Sequence, residues 1–75
     1  MWSKYVVIAS MRNGEVQTSV IMAEDESDAM WVATRMPEFE EWHTMCAVIE
    51  HDTEKIERCI RCEKENAHQA ELLYR

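Results

Sequence analysis

The sequence is poor in the residues that interrupt regular structure and in the basic residues that bind nucleic acid. It has one glycine and one proline in 75 residues, which argues against phosphate-binding glycine loops and proline-rich disorder. Eight basic residues against fifteen acidic ones give a formal charge of −7, which disfavours direct contact with nucleic acid or with an anionic membrane. No segment approaches the roughly 20 apolar residues of a membrane-spanning helix. We therefore expect an ordered cytoplasmic protein with basic partners.

Cysteine is also scarce, and its number is odd. Three cysteines are too few for the disulfide frameworks that hold small secreted domains together, and they fit a reducing cytosol. The apolar stretch near the amino terminus is shorter than a signal-peptide core. The length is enough for one hydrophobic core, so we predict a single domain over residues 1–75.

Two runs rich in β-branched residues predict a β-hairpin. They cover residues 4–11 and 16–23, and Asn13-Gly14 lies between them. Both turn residues tolerate the positive φ angles of a type I′ turn, which makes a two-residue loop. Such a loop sets Ile8 opposite Ser19. The predicted core face then carries Tyr5, Val7, Ala9, Met11, Val16, Thr18, Val20 and Met22.

A short helix and a third strand follow. Asp25 or Ser27 is the expected N-cap of the helix, which ends before Pro37. Arg35 is four residues after Trp31, so its guanidinium can lie over the indole. Residues 38–43 are expected to form a loop, and residues 44–49 a third strand beside the first, with its direction left open.

The last segment predicts a long helix capped by Asp52 or Thr53. Its expected packing face consists of Ile56, Cys59, Ile60 and Cys62. Residues 63–66 are polar on all sides, which predicts a helix that extends past the body of the domain. Apolar residues then return, and we expect them to contact the sheet, a second copy or a target: Ala67, Ala70, Leu72, Leu73 and Tyr74. The order β-β-α-β-α predicts an α+β fold in which two helices cover one face of a small antiparallel sheet.

The residue pattern indicates no catalytic assembly, and we expect a protein that is not an enzyme and has no cofactor. One spacing is compatible with a four-ligand zinc site, namely His43-x2-Cys46 followed by Cys59-x2-Cys62. Cysteines inside a strand and on a packing face are more typical of small buried apolar residues. A small zinc-binding module is therefore kept as an alternative hypothesis.

Acidic residues are concentrated in one part of the chain. Residues 15–54 contain eleven of the fifteen acids and a single base, Arg35. Because these acids lie in loops or at helix starts, we predict that they gather at one end of the sheet, where they would imitate a nucleic acid backbone. A solubilising surface is the plainer interpretation. The predicted partner-binding residues, with two aromatic anchors among them, are Glu24, Asp25, Glu26, Asp28, Glu38, Phe39, Glu40, Glu41 and Trp42.

The arrangement of the first fifty residues resembles that of small bacteriophage-encoded inhibitors of host RNA polymerase. The features that carry this resemblance are the hairpin, the segment Ala23-Glu24-Asp25-Glu26-Ser27-Asp28-Ala29 that opens a short helix, and the third strand. The long C-terminal helix departs from it. In being compact and acidic the chain is also similar to anti-CRISPR proteins. Both resemblances imply an inhibitor that docks on a basic, nucleic-acid-handling surface of a host protein or ribonucleoprotein complex.

A homodimer is the alternative function class. Its interface would be the face of Val6, Ile8 and Ile21, or the helix end from Leu72 to Tyr74, and the charge would then serve solubility alone.

Overall fold

The strands and helices follow one another in the predicted order. A computed structural model describes all residues from 1 to 75. The elements are β1 (Ser3–Met11), β2 (Val16–Ala23), α1 (Glu26–Thr34), a short 3-10 helix (Pro37–Phe39), β3 (Trp42–Ile49) and α2 (Thr53–Leu73). The predicted α+β class and β-β-α-β-α order are confirmed. Neither helix combines the length and the hydrophobicity that crossing a bilayer requires.

The sheet has three strands in the order β2-β1-β3, and both neighbouring pairs are antiparallel. The third strand lies beside the first, as predicted, and its direction is now defined. It begins at Trp42, two residues before the predicted start. A break in register between Ser10 and Met11 leaves His43 without an opposite residue on β1, so β3 begins with a β-bulge.

The loop between β1 and β2 differs from the predicted two-residue turn. The Met11 amide donates to the Glu15 carbonyl at 2.8 Å, which leaves three residues in the loop, and the Gly14 amide donates to the Met11 carbonyl at 3.0 Å. Gly14 alone has a positive φ, 91°, whereas a type I′ turn needs Asn13 to be left-handed as well. The type I′ prediction is therefore wrong. The observed loop has the pattern of a three-residue turn closed by a glycine bulge.

The extra loop residue moves the register of β2 by one position. Ile8 lies opposite Thr18 and not opposite Ser19. A one-residue shift reverses the face that each side chain of a strand occupies. Ile21 and Ala23 consequently point into the core, while Val20 and Met22 are exposed on the other face. The prediction that Thr18, Val20 and Met22 are core residues is wrong.

The two helices cover opposite faces of the sheet, so the predicted one-sided architecture is wrong. The face that carries Tyr5, Val7 and Ala9 packs with Ala29 and Ala33 of α1. The opposite face, which includes Ile8 and Val48, is covered by α2. The physical reason is visible in β1, where every residue from Val7 to Met11 is buried. A central strand of this kind needs a cover on each side.

The predicted caps and one predicted side-chain contact are confirmed. Asp25 is the N-cap of α1, and its carboxylate accepts from the Asp28 amide at 2.8 Å. Asp52 caps α2 and accepts from the Lys55 amide at 3.1 Å. The Arg35 guanidinium lies 4.4 Å from the centre of the Trp31 ring. Each of these contacts joins residues no more than four positions apart, so the local helix geometry is sufficient to produce it.

Helix α2 does not extend past the body of the domain, contrary to the prediction. Glu63, Ala67 and Ala70 are all buried against the sheet. Cys62, which we assigned to the packing face, is exposed. The buried positions of α2 therefore continue at helical spacing through the segment that we interpreted as solvated.

Candidate functional site

The connections that follow β2 and β3 meet at the same edge of the sheet, the one formed by the ends of these two strands and the start of β1. Both strands run antiparallel to β1, so both end where β1 begins, with Ser3 opposite Ala23 and Tyr5 opposite Ile49. The N-termini of α1 and α2 lie just beyond this edge. We name it the acidic edge after its seven carboxylates, which belong to Glu24, Asp25, Glu26, Asp28, Glu50, Asp52 and Glu54.

The acidic edge is strongly negative because few bases accompany its acids. The basic residues near it are Lys4 on β1 and Lys55 in the first turn of α2, so seven acids and two bases leave a formal charge of −5. The one salt bridge of the chain, between Arg12 and Glu41, lies elsewhere. The N-terminal ends of two helix dipoles offset part of the repulsion among the carboxylates. The remaining charge faces solvent.

Some of these carboxylates have structural partners and others do not. Asp25 and Asp52 are the helix N-caps, and Asp28 accepts from the Glu24 amide at 3.3 Å. The four glutamate side chains at the edge make no hydrogen bond within the chain, and all are exposed: Glu24, Glu26, Glu50 and Glu54. The aspartates therefore fix the backbone, and the glutamates are free to contact a partner.

The remaining predicted binding residues lie at the opposite end of the sheet. Glu38, Glu40 and Glu41 precede β3, whose first residue pairs with Met11 at the far end of β1. Nine residues of strand separate the two ends, which is about 30 Å. Our expectation that all the acids gather at one end is therefore wrong for these three glutamates.

The two predicted aromatic anchors also differ from expectation. Phe39 is fully buried, in the core beneath α1, so it cannot contact a partner and that assignment is wrong. Phe39 is the last residue of the 3-10 helix that precedes β3. Trp42 is 37% exposed, but it lies on β3 at the end remote from the acidic edge.

The four residues of the candidate zinc site do not form one cluster. His43 faces the last turn of α2, where its Nδ1 lies 3.2 Å from the Tyr74 hydroxyl oxygen, and the two rings are 5.4 Å apart, edge to face. Cys46 and Cys59 are neighbours, and Cys62 is close enough to influence the Cys46 thiol. No group of three or more His, Cys, Asp or Glu side chains has an arrangement that could hold a metal ion.

The thiol of Cys46 is kept protonated by its surroundings. Burial raises its pKa, and the neighbouring Cys59 and Glu63 raise it further. A raised pKa opposes both metal ligation and nucleophilic attack, since each requires the thiolate. Cys46 therefore has the environment of a half-buried, unreactive thiol.

A buried carboxylate on α2 is the most unusual polar feature of the interior. Glu63 is 4% exposed, and its Oε1 accepts from the Ser10 amide at 3.2 Å and from the Thr44 hydroxyl. Because Thr44 gives its hydroxyl proton to Glu63, the Ser10 hydroxyl is the donor in the Ser10–Thr44 contact. The bulge at His43 interrupts the β1–β3 ladder beside Ser10. Glu63 satisfies the amide that this interruption frees.

Sequence reasoning missed Glu63 although a signal was present. The residue is seven positions after Ile56, three after Ile60 and four before Ala67, which places it on the apolar stripe of α2. A glutamate in such a stripe indicates a buried hydrogen-bond acceptor as readily as a break in the packing face.

The far end of the sheet has a shallow depression with a volume of about 440 Å³. It is lined by Arg12, Asn13, Glu41 and Tyr74, and the Arg12 guanidinium lies 5.0 Å from the centre of the Tyr74 ring. All four side chains are exposed. An open hollow of this kind does not exclude water, as chemistry on a bound small molecule requires.

Comparisons of the chain with protein-family models, with curated proteins and with solved structures give no match. The resemblance to phage-encoded inhibitors therefore stays a prediction.

Proposed function

We propose that this chain is a non-catalytic inhibitor that docks, through its acidic edge, on a basic surface with which another protein or ribonucleoprotein complex handles nucleic acid. The observation that carries the proposal is the meeting of two acidic connections at one edge, with seven carboxylates and two lysines. A groove of Lys and Arg that binds phosphates would accept such an edge in place of nucleic acid.

The geometry of the acidic edge suits a phosphate-like role. Its carboxylates flank the sheet on both sides, because α1 and α2 begin on opposite faces. The glutamates lie in the connections and in the first helical turns, whose backbone is fixed by the caps at Asp25 and Asp52. The caps therefore fix the backbone from which each carboxylate projects, while the exposed side chains still lose rotamer freedom when a partner binds them. Complementary charge of this kind accelerates association more than it sets affinity.

The residues that support this proposal differ in part from the predicted set. Residues 24–28 are retained. Residues 38–42 lie at the other end of the sheet and are not part of the acidic edge. Residues 50–54, which follow β3, form that edge together with residues 24–28.

The test compares two charge-reversed proteins of equal net charge. Glu24→Lys with Glu26→Lys alters the acidic edge, whereas Glu38→Lys with Glu40→Lys alters exposed acids at the far end. Each double variant changes the net charge from −7 to −3, since two reversals add four charges. Tagged proteins are used to capture partners from nuclease-treated bacterial lysate at low and high salt, and mass spectrometry identifies what binds.

We expect the acidic-edge variant to lose at least about tenfold in capture of a nucleic-acid-binding protein, and the far-end variant to retain it. Added double-stranded DNA should displace the captured protein, because both compete for one basic surface. Equal capture by the two variants, or capture that DNA does not reduce, would contradict the proposal.

A further inference from the structure

Strand β2 forms an open edge of the sheet. Its inner side pairs with β1, and no strand lies on its outer side. Three of its side chains are exposed, those of Thr18, Val20 and Met22, whereas Trp42 is the single exposed residue of β3. Residues 16–23 contain no charge, no proline and no bulge, and these are the devices by which edge strands resist pairing with another chain.

The hydrogen-bond pattern of the hairpin shows which backbone groups of β2 point outward. Met11 and Glu15 form a hydrogen-bonded pair, and such pairs alternate with non-hydrogen-bonded pairs along an antiparallel ladder. Ser10 with Val16, and Ile8 with Thr18, are therefore non-hydrogen-bonded pairs. It follows that four residues direct both amide and carbonyl away from β1, namely Val16, Thr18, Val20 and Met22.

The side chains of the same four residues lie on the face that α2 covers only in part. This helix packs over β1 and β3 and has few contacts with β2. Val20 remains 55% exposed and Met22 49% exposed. Free backbone groups and uncovered apolar side chains thus occur together, as they do where a further strand is added to a sheet.

We propose that two copies of the chain pair antiparallel through β2, about a two-fold axis at Ser19, and form one continuous six-stranded sheet. The four outward-facing residues are symmetric about Ser19, so Val16 lies opposite the partner's Met22 and Thr18 opposite the partner's Val20. Each pair exchanges two hydrogen bonds, which gives about eight across the interface. The valines and methionines of both copies then cover one another between the two α2 helices.

A second copy can be the occupant despite the charge of the chain, because β2 itself carries none. Two molecules of charge −7 repel each other unless most of their acids are kept apart. Antiparallel pairing places Glu24 opposite the partner's Gly14, in the loop that carries Arg12 and Glu15, so one base and one acid lie near it. The two acidic edges then lie at opposite ends of the paired strands, about 27 Å apart along eight residues. This distance exceeds the screening length of about 8 Å at physiological ionic strength.

Two variants of matched exposure locate the interface. Val20→Glu puts a charge at the centre of the paired strands. Leu72→Glu puts the same charge on the end of α2, at a residue that is 54% exposed compared with 55% for Val20. Circular dichroism checks that each variant folds, and sedimentation equilibrium measures its mass over a range up to about 500 µM. We expect the wild type and Leu72→Glu to dimerise, and Val20→Glu to weaken dimerisation at least about 30-fold.

Amide hydrogen exchange of the wild type provides a second readout. The amides of Val16, Thr18, Val20 and Met22 should exchange rapidly in dilute protein and slowly at high concentration. Those of Gln17, Ser19 and Ile21 already bond to β1 and should be slow at both concentrations. A wild type that stays monomeric overturns the proposal. So does a dimer that Val20→Glu leaves intact, or one whose concentration-dependent protection lies outside β2.

Discussion

Replacing Glu63 by alanine should leave the buried Ser10 amide without an acceptor. The carboxylate lies between α2 and the sheet, where it accepts from the Ser10 amide and the Thr44 hydroxyl. The Thr44 hydroxyl can donate instead to Ser10 Oγ, which it already contacts, and Ser10 Oγ can donate to the Thr44 carbonyl. The Ser10 amide has no other acceptor. The alanine methyl cannot supply one, and at 4% exposure of the native side chain little water reaches the position.

The expected loss of stability follows from the number of bonds removed. An unsatisfied buried donor costs about 1–3 kcal/mol, so the loss of the acceptor of the Ser10 amide should cost about 2 kcal/mol. A domain of this length has a free energy of unfolding of about 4–11 kcal/mol. The Glu63→Ala protein should therefore lose roughly a fifth to a half of its free energy of unfolding at 25 °C. Glu63→Gln keeps an oxygen acceptor and should lose less than half as much.

Urea unfolding followed by far-ultraviolet circular dichroism measures these differences. Glu65→Ala is the matched control, because Glu65 is exposed on the same helix, and we expect it to change stability by no more than about 0.5 kcal/mol. If Glu63→Ala unfolds at the same urea concentration as the control, the buried hydrogen bonds contribute little and the reasoning is refuted.

Further predictions concern the hairpin loop and the thiols. Gly14→Ala should destabilise the protein by about 1–3 kcal/mol in thermal unfolding, because left-handed backbone disfavours alanine and the new Cβ would lie 2.7 Å from Glu71 Oε2. The added change Glu71→Ala removes that carboxylate but keeps the residue's Cβ, 3.0 Å away. It should therefore recover only part of the loss, and full recovery would contradict a backbone contribution. Iodoacetamide at pH 8 should modify exposed Cys62 before Cys46, as peptide mass spectrometry can show, and equal rates would argue against a desolvated Cys46 thiol. Because the pKa of Cys46 is raised from 9.0 in the folded state, stability should be independent of this group below pH 9.0 and fall as pH rises above it, and Cys46→Ala should reduce that fall.

The features that the sequence predicted correctly are those decided by residues close together along the chain. The caps at Asp25 and Asp52 and the Arg35–Trp31 contact each depend on side chains three or four residues apart. The element order follows from hydrophobic runs and from the acidic helix starts. Local preferences of this kind are little altered by the rest of the fold.

The register of β2 could not be predicted from its residues. The hydrophobic pattern is nearly balanced, since Val20 and Met22 occupy one face and Ile21 and Ala23 the other. A glycine at position 14 suits a two-residue and a three-residue loop equally. In the observed register Ile21 is buried in the core with α1, and that contact depends on tertiary packing. Because the packing of α1 could not be predicted from β2, Met22 was wrongly predicted to lie in the core.

The candidate site was predicted in part. The acids of residues 24–28 were identified from charge, and their exposure agrees with a surface role. That residues 50–54 lie beside them follows from the antiparallel placement of β3, which the sequence left open. Phe39 was assigned to the surface because acids surround it, but its ring fills the core while its neighbours face solvent.

The cover that α2 provides has a consequence for synthesis of the chain on the ribosome. The Ser10 amide gains its acceptor only when Glu63, 53 residues later, has been synthesised. The hairpin and the core beneath α1 require only residues up to 49. The hairpin therefore emerges with Ile8 uncovered, and this residue stays exposed until α2 has left the exit tunnel. That interval is the period in which chaperone binding or aggregation would compete with completion of the fold.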